Sequence, residues 1–471
     1  MPDAGQVSDG FSDRRRELGN TEQNWCRAVS SGTGVTVLAL QMAKSPSETS
    51  VLSDILLKIQ KSHPILRSKL HYCRNSKNFS FLIASAPRQV RLEVHDARAT
   101  AEILRNLSAG GFPSLSPLQL ILEKELNANN WSDPGDFPSD GVEVFYASVY
   151  ALSDARAVVV LRFHTSVCDR TTAEELLMEL MELVEEKEGG AAKKEIENEG
   201  EGEKGIESLI PNGMGKKTLW SHGMDMLGYS LNSFRLTNLK FKNTKSARRS
   251  EVVRFQINAR CTASILAICK SKGIKLCGAL AAAALLAARS TKSQSSDKKK
   301  YGVVTLTDCR SILDPPLPAH HFGFYHSAIL NIHSVKGTEN LWDLAKICYS
   351  VFEEYKKCNR HFSDMADLNF LMSKAVDNPS LTASSSLRSA LISVFEDPVI
   401  DNSKKMQQKI GVEDYIGCAS AHGIGPSIGM FDTVRNGELD CACVYPAPLH
   451  SRDQITELVD RVKRLLIDGC F

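Results

Sequence analysis

Arg156-Ala-Val-Val-Val-Leu-Arg-Phe-His-Thr-Ser-Val-Cys-Asp-Arg170 is the stretch whose reading decides the fold. A mostly apolar run, Val158 to Phe163, ends in His164. Asp169 comes five residues later, and Thr171-Thr172-Ala-Glu-Glu-Leu-Leu-Met-Glu-Leu opens a helix. A buried strand that hands an imidazole and a carboxylate to the start of a helix is a recurrent way to build a reaction centre. It is equally an ordinary strand end, with His164 satisfied in place and Asp169 favoured by the helix dipole.

Outward from this stretch the pattern is α/β. Val142 to Tyr150 and Ala157 to Phe163 read as a hairpin joined at Ser153-Asp154. Upstream, Val35 to Gln41 is a β-branched strand. Leu52, Ile55, Leu56 and Ile59 recur at helical spacing behind a candidate cap at Ser47-Glu-Thr-Ser50, and Pro64 stops that helix. Strands are expected near Leu70, over Phe79–Ala84 and over Val90–Val94, with a helix over Leu118–Leu126. Residues 1 to 20 are polar and expected to be loose. Glu185 to Lys204 is Glu, Lys and Gly with almost no apolar residue, a composition that cannot bury enough surface to order itself. With Gly205 to Lys217 it reads as a crossover linker, which divides the chain into 1–184, 185–217 and 218–471. The second half alternates strands (Glu251–Ile257, Val303–Thr307, Ser327–Ile332, Leu391–Phe395, Glu438–Val444) with helices, one of them alanine-rich over Cys277–Arg289. Thr262 is the expected cap of the helix that ends at Cys269, and Asp314 to His326 is a stiff, proline-pinned loop.

At 471 residues the chain is too long for one core. A net charge of +2 provides no field that would point to nucleic acid or to an acidic membrane. The thirteen cysteines are scattered, without a CxxC pair, as expected of reduced thiols in a cytoplasmic protein. The polar N-terminus has no secretory apolar core, and no run of about 18 apolar residues is available to span a membrane. His320, His321 and His326 lack metal-ligand spacing, so no metal is expected.

Together these segments resemble the HxxxD-type acyltransferases of the chloramphenicol acetyltransferase-like fold, which include plant BAHD acyltransferases, alcohol acetyltransferases and condensation domains of peptide synthetases. His63-Pro-Ile-Leu-Arg67 is similar to the segment after their first helix. Phe163 to Thr171 sits where they carry HHxxxDG, Asp308 to Pro318 is similar to the plant "D-x-R-x-R-x-x-PPLP" segment, and Gly423-Ile-Gly425 stands where BAHD enzymes have DFGWG. The resemblance implies two domains, each a mixed sheet backed by helices, with a tunnel between them. It implies an acyl-CoA co-substrate, a small-molecule alcohol or amine acceptor, no tightly bound cofactor and no nucleic-acid or membrane partner. A monomer and a plant source are the further expectations. In such enzymes a histidine acts as general base, and the Asp pairs with an Arg to hold the loop; here those two would be Asp169 and Arg310.

The chain departs from that pattern at the base. The signature places it four residues before the Asp, and that position is Thr165. A hydroxyl of very high pKa cannot replace an imidazole. Arg170 replaces the glycine after the Asp, and Ala421-His422 precedes Gly423 where an Asp is expected. Three readings stay open. One is an acyltransferase with a displaced base, either His164 brought round by a bulge or His326 or His422 reaching the tunnel from the second domain. Another is an acyltransferase working by positioning alone. The third is a catalytically inactive relative that binds an acyl donor or a protein partner. Arg170, His326, His422, Gly423 and Gly425 are the expected tunnel residues. Cys168 beside His164 is expected to pack rather than to react.

Overall fold

The computed structural model describes residues 13–43, 49–108, 115–187, 189, 198, 200–215, 236–290, 297–378 and 386–470. The first strands are β1 (Arg14–Glu17), β2 (Thr33–Met42), β3 (Ser68–Cys73), β4 (Asn78–Ile83), β5 (Leu92–His95), β6 (Val142–Glu143), β7 (Phe145–Ala151) and β8 (Ala157–His164). They continue with β9 (Arg249–Ile257), β10 (Lys299–Asp308), β11 (His326–Val335), β12 (Arg388–Phe395), β13 (Val399–Asp401), β14 (Val412–Ala421), β15 (Gly425–Arg435) and β16 (Glu438–Ala447). Three sheets result, ordered β14-β2-β8-β7-β5, β1-β4-β3-β6 and β11-β10-β12-β15-β16-β9, with β13 added to β15.

The two large sheets are mixed and backed by helices, and the four-stranded sheet is antiparallel. In the five-stranded sheet β8 pairs antiparallel with β2 and β7, while β5 joins β7 in parallel. β8 is buried along its whole length, which is why its sequence reads as a continuous apolar run. β14, from late in the chain, adds antiparallel to β2, so the two halves share a sheet. The alanine-rich helix Leu276–Ser290 lies buried against Leu341–Lys357 and Arg452–Asp468, because small side chains let helices approach closely. Among the described residues no single helix is long and apolar enough to cross a membrane. All thirteen cysteines are unpaired.

Several local expectations change. Residues 14–17 form β1 rather than a loose end, and helices Asn20–Ser30 and Ala97–Ser108 stand where no element was expected. The cap of helix Ala259–Ser271 is Asn258, whose side chain accepts from the Cys261 amide; Thr262 instead donates to Ile257 O. The candidate cap at residues 47–48 lies outside the described residues, as do 188, 190–197, 199 and 216–217 of the 185–217 linker. The end of that linker is packed, contrary to its composition. Ile206 and Leu209 are buried in a cluster with Cys309, Leu313 and Tyr325.

Glu201 explains how so polar a segment is anchored. It is 1% exposed and lies against His63 of the HPILR motif. His63 Nδ1 is 2.8 Å from Glu201 Oε2, and its Nε2 is 2.8 Å from Glu179 Oε2. Both carboxylates are acceptors, which favours a ring protonated on both nitrogens, and Asn198 Nδ2 also lies 3.1 Å from Nδ1. The ring stacks on Phe322 at 3.5 Å. Burial alone would push the pKa down, but hydrogen bonds to Glu179 and Glu201 raise it to about 9. The folded value lies above the unfolded one of about 6.5, so the stabilisation is complete below that pH and is lost as pH rises through 9. His63→Gln is expected to cost up to about 3 kcal/mol at pH 6 and progressively less by pH 9.5. Denaturant midpoints of both proteins across this range check it; a constant difference would remove the imidazolium.

Candidate functional site

A cavity of about 510 Å³ lies where the two large sheets face each other. Its wall is mostly apolar, with Leu38, Leu177, Leu306, Leu330, Phe324 and Phe431 among the lining side chains. Several strands and helices build it. On β2, Thr36 and Leu38 share one face of the pleat. On β11, His326, Ala328 and Leu330 alternate onto the cavity, opposite Leu306 and Val304 of β10. On the helix Arg170–Lys187, Arg170, Ala173, Glu174 and Leu177 form one i, i+3, i+4, i+7 stripe, and all four line the cavity.

Asp169 ties the site together. It is 4% exposed and takes a bidentate contact from Arg310, with Nη1 3.0 Å from Oδ2 and Nη2 3.1 Å from Oδ1. The amides of Tyr325 and Thr172 donate to it at 2.8 and 2.9 Å. Burial would raise the Asp169 carboxyl, but Arg310 and the donors around it hold it well below the usual carboxylate range. His326 Nδ1 lies 3.0 Å from Asp169 Oδ2, although its N–H is not aimed along a good hydrogen-bond direction. The ring packs edge-on to Phe395, with centroids 6.1 Å apart.

His164 is not part of this site, which corrects the displaced-base expectation for that residue. β8 and β2 pair in unbroken register, Val35 opposite His164 and Thr36 opposite Phe163. His164 therefore faces away from Thr36 and the cavity, and no bulge turns it back. It is fully buried, edge-to-face with Trp131 at 5.2 Å. Its Nδ1 accepts from the Ser166 amide at 3.2 Å and lies 2.7 Å from Ser166 Oγ, capping the short 3-10 turn Thr165–Val167. Burial pushes its pKa down to about 3, so it stays neutral. The stabilisation is present above about pH 6.5 and is lost as pH falls through about 3. His164→Ala is expected to lower stability by about 2–4 kcal/mol through lost packing and the lost cap, while activity per folded molecule is retained. Denaturant titration beside an activity assay checks both parts.

Thr165 takes the cavity position instead, its hydroxyl 3.3 Å from Thr36 Oγ1. Arg170 also lines the cavity but does not cross it freely. Its Nη1 is 3.1 Å from Asp432 Oδ1, Nη2 donates to Asp432 O, and the guanidinium lies 4.1 Å above Phe395. Cys168 lines the wall with its thiol pushed well up by burial, so it is no thiolate nucleophile.

His422 and Gly423 do not line the cavity, a second correction. His422 Nδ1 is 3.0 Å from Ser250 Oγ, and burial, with Arg388 and Arg248 nearby, lowers its pKa to about 4. Gly423 is needed for close approach, since a Cβ there would sit 2.4 Å from Ser31 O. Gly425 does line the cavity and adopts φ +132. Among the charged lining residues, Glu174, Lys374 and Arg388 escaped the sequence reading. Arg388 was hidden in an uncharted stretch before Leu391. Glu174 was legible in principle, four residues after Arg170 on the same helical face. Among the described residues no group of three or more His, Cys, Asp or Glu could hold a metal ion.

Solved structures sharing this architecture cover almost the whole chain. Trichothecene 15-O-acetyltransferase from Fusarium sporotrichioides matches 97% of this chain and 95% of its own, at 11% identity and a TM-score of 0.70. The fold is that of the chloramphenicol acetyltransferase-like acyltransferases. The first condensation domain of the calcium-dependent antibiotic synthetase matches 98% of this chain and 97% of its own, at 13% identity and a TM-score of 0.63. Polyketide synthase associated protein 5 from Mycobacterium tuberculosis matches 96% and 98%, at 14% identity and a TM-score of 0.61. Residues 246–349 match the family model for the C-terminus of phthiocerol/phthiodiolone dimycocerosyl transferase. No curated protein sequence matches the chain.

Proposed function

We propose that the protein transfers an acyl group from an acyl-CoA thioester to a small alcohol or amine, with His326 as general base. The observation that carries this reading is the 3.0 Å approach of His326 Nδ1 to Asp169 Oδ2 on the cavity wall. A proton held on Nδ1 beside the carboxylate leaves Nε2 as the acceptor. The acceptor gives its proton to Nε2 as its oxygen or nitrogen bonds to the thioester carbon. The carbon–sulfur bond then breaks, and the departing thiolate takes that proton. Asp169 remains ionised and stabilises the transient imidazolium. Thr165 offers a hydroxyl that can hydrogen-bond a carbonyl oxygen but takes no proton. The imidazole thus comes from β11, across the cavity from the family position, and uses the same Asp.

The substitution at Thr165 supports a second reading, an acyltransferase-like protein that binds a thioester without turnover. Release of free thiol from a panel of acyl-CoA thioesters, with and without alcohols and amines, separates the two. Acceptor-dependent release abolished in His326→Ala supports transfer. No release with any pair, alongside saturable thioester binding, supports the second reading.

A further inference from the structure

Most charged groups on the cavity wall have a partner that neutralises or disperses them. Asp169 has Arg310, and Arg170 has Asp432. Arg388 gives its N–H groups to the carbonyl oxygens of Ser386, Ala421, Gly423 and Pro426. Lys374 is exposed at the rim, its ammonium 5.4 Å from the centre of the Phe370 ring. Glu174 differs. It lines the cavity from the stripe shared with Arg170, Ala173 and Leu177, and among the described residues it makes no hydrogen bond or ion pair.

An unpaired carboxylate in a mostly apolar pocket is costly, because it gives up water without gaining a partner. Glu174 is only partly accessible, and burial raises its pKa to about 7. Arg170, one turn away, pulls the value down, whereas Glu175, Asp401 and Asp308 push it up. Among the described residues no hydrogen bond or ion pair requires a carboxylate here. A cationic ligand would complete the site.

We infer that Glu174 is the acceptor-binding carboxylate and that the acceptor is an organic amine, seated as its ammonium ion with its apolar part along the cavity wall. This rests on the transfer reading for its chemical step, though the binding itself does not. The ammonium must lose a proton before it can attack. One proton passes from nitrogen to the Glu174 carboxylate, giving the neutral amine. The second passes to His326 as the carbon–nitrogen bond forms and the carbon–sulfur bond breaks, and His326 returns it to the thiolate. Glu174 releases its proton to water, and an amide and a free thiol result.

The test is equilibrium binding without any thioester, using the matched probes hexylamine and 1-hexanol in titration calorimetry at pH 8. The wild-type protein is expected to bind hexylammonium about ten- to a hundredfold more tightly than hexanol, the range of a charge-assisted contact. E174Q is expected to abolish that preference and E174D to keep part of it. In the wild-type protein the preference should fall as pH drops through 7, a readout that does not depend on any variant folding. Equal binding of the two probes, binding of neither, or a preference that survives E174Q overturns the inference. Because no thioester is present, a preserved amine preference in a protein without turnover would sink the transfer reading alone. Turnover without amine preference would sink this one alone.

Discussion

Replacing His326 by alanine is expected to lower acceptor-dependent thiol release by roughly 10²- to 10⁴-fold, the range that general acid–base catalysis supplies. His326 sits at the start of β11, opposite Asp308 of β10, with Ala328 and Leu330 following it on the same face. Its removal leaves the ladder intact, so the folded protein should persist. The loss should fall on kcat more than on KM, because the imidazole acts on the moving proton rather than on ground-state binding. A His326→Gln variant should fold equally well and be equally inactive, since an amide cannot take the proton. Turnover that survives either change would refute His326 as the base. Turnover in His164→Ala, by contrast, is expected to persist, because that ring faces Trp131 rather than the cavity.

Breaking the Asp169–Arg310 pair is expected to have the largest effect on folding. Both side chains are almost fully buried, 1% and 2% exposed. Arg310→Met would leave a buried carboxylate beside His326 with two amide donors but no counter-charge. Asp169→Asn would leave a buried guanidinium that keeps contacts with Asp308, Thr172 and the His321 carbonyl. Arg310→Met is expected to cost about 3–5 kcal/mol because it strands a buried carboxylate, and Asp169→Asn less, because Arg310 keeps its ion pair with Asp308. The double variant should recover part of that loss, and chemical denaturation across the four proteins measures the coupling. The pH dependence follows from the depressed Asp169 pKa. The stabilisation is complete above the ordinary carboxylate pKa of about 3.9 and is lost as pH falls below it. The same variants should lose activity through the site, since the pair also places the Gly323–Tyr325 backbone beside the helix that starts at Arg170.

Much of this was legible from residues alone. Continuous burial wrote itself into Val158–Phe163, alternation marked the strands, and the i, i+3, i+4 repeat marked the helices, because each element must bury one face. β15 was missed. Its sequence, Gly-Pro-Ser-Ile-Gly-Met-Phe-Asp-Thr-Val-Arg, opens with Gly-Pro and carries a second glycine, which masks a strand signal although the strand lies inside a sheet. The linker was misjudged at its end because composition cannot show that Glu201 has an imidazolium to meet.

The sequence by itself determined the acyltransferase-like architecture and the placement of Asp169 between strand and helix, with a threonine, Thr165, four residues before it. Only the tertiary structure decided which histidine reaches the cavity. His164 is one residue from Thr165, which lines the cavity, yet strand alternation turns it into the core. His326 is more than 150 residues away in the chain, but the facing sheets bring it to Asp169. Side-chain direction along a strand is local, whereas the meeting of two sheets depends on every contact that packs them.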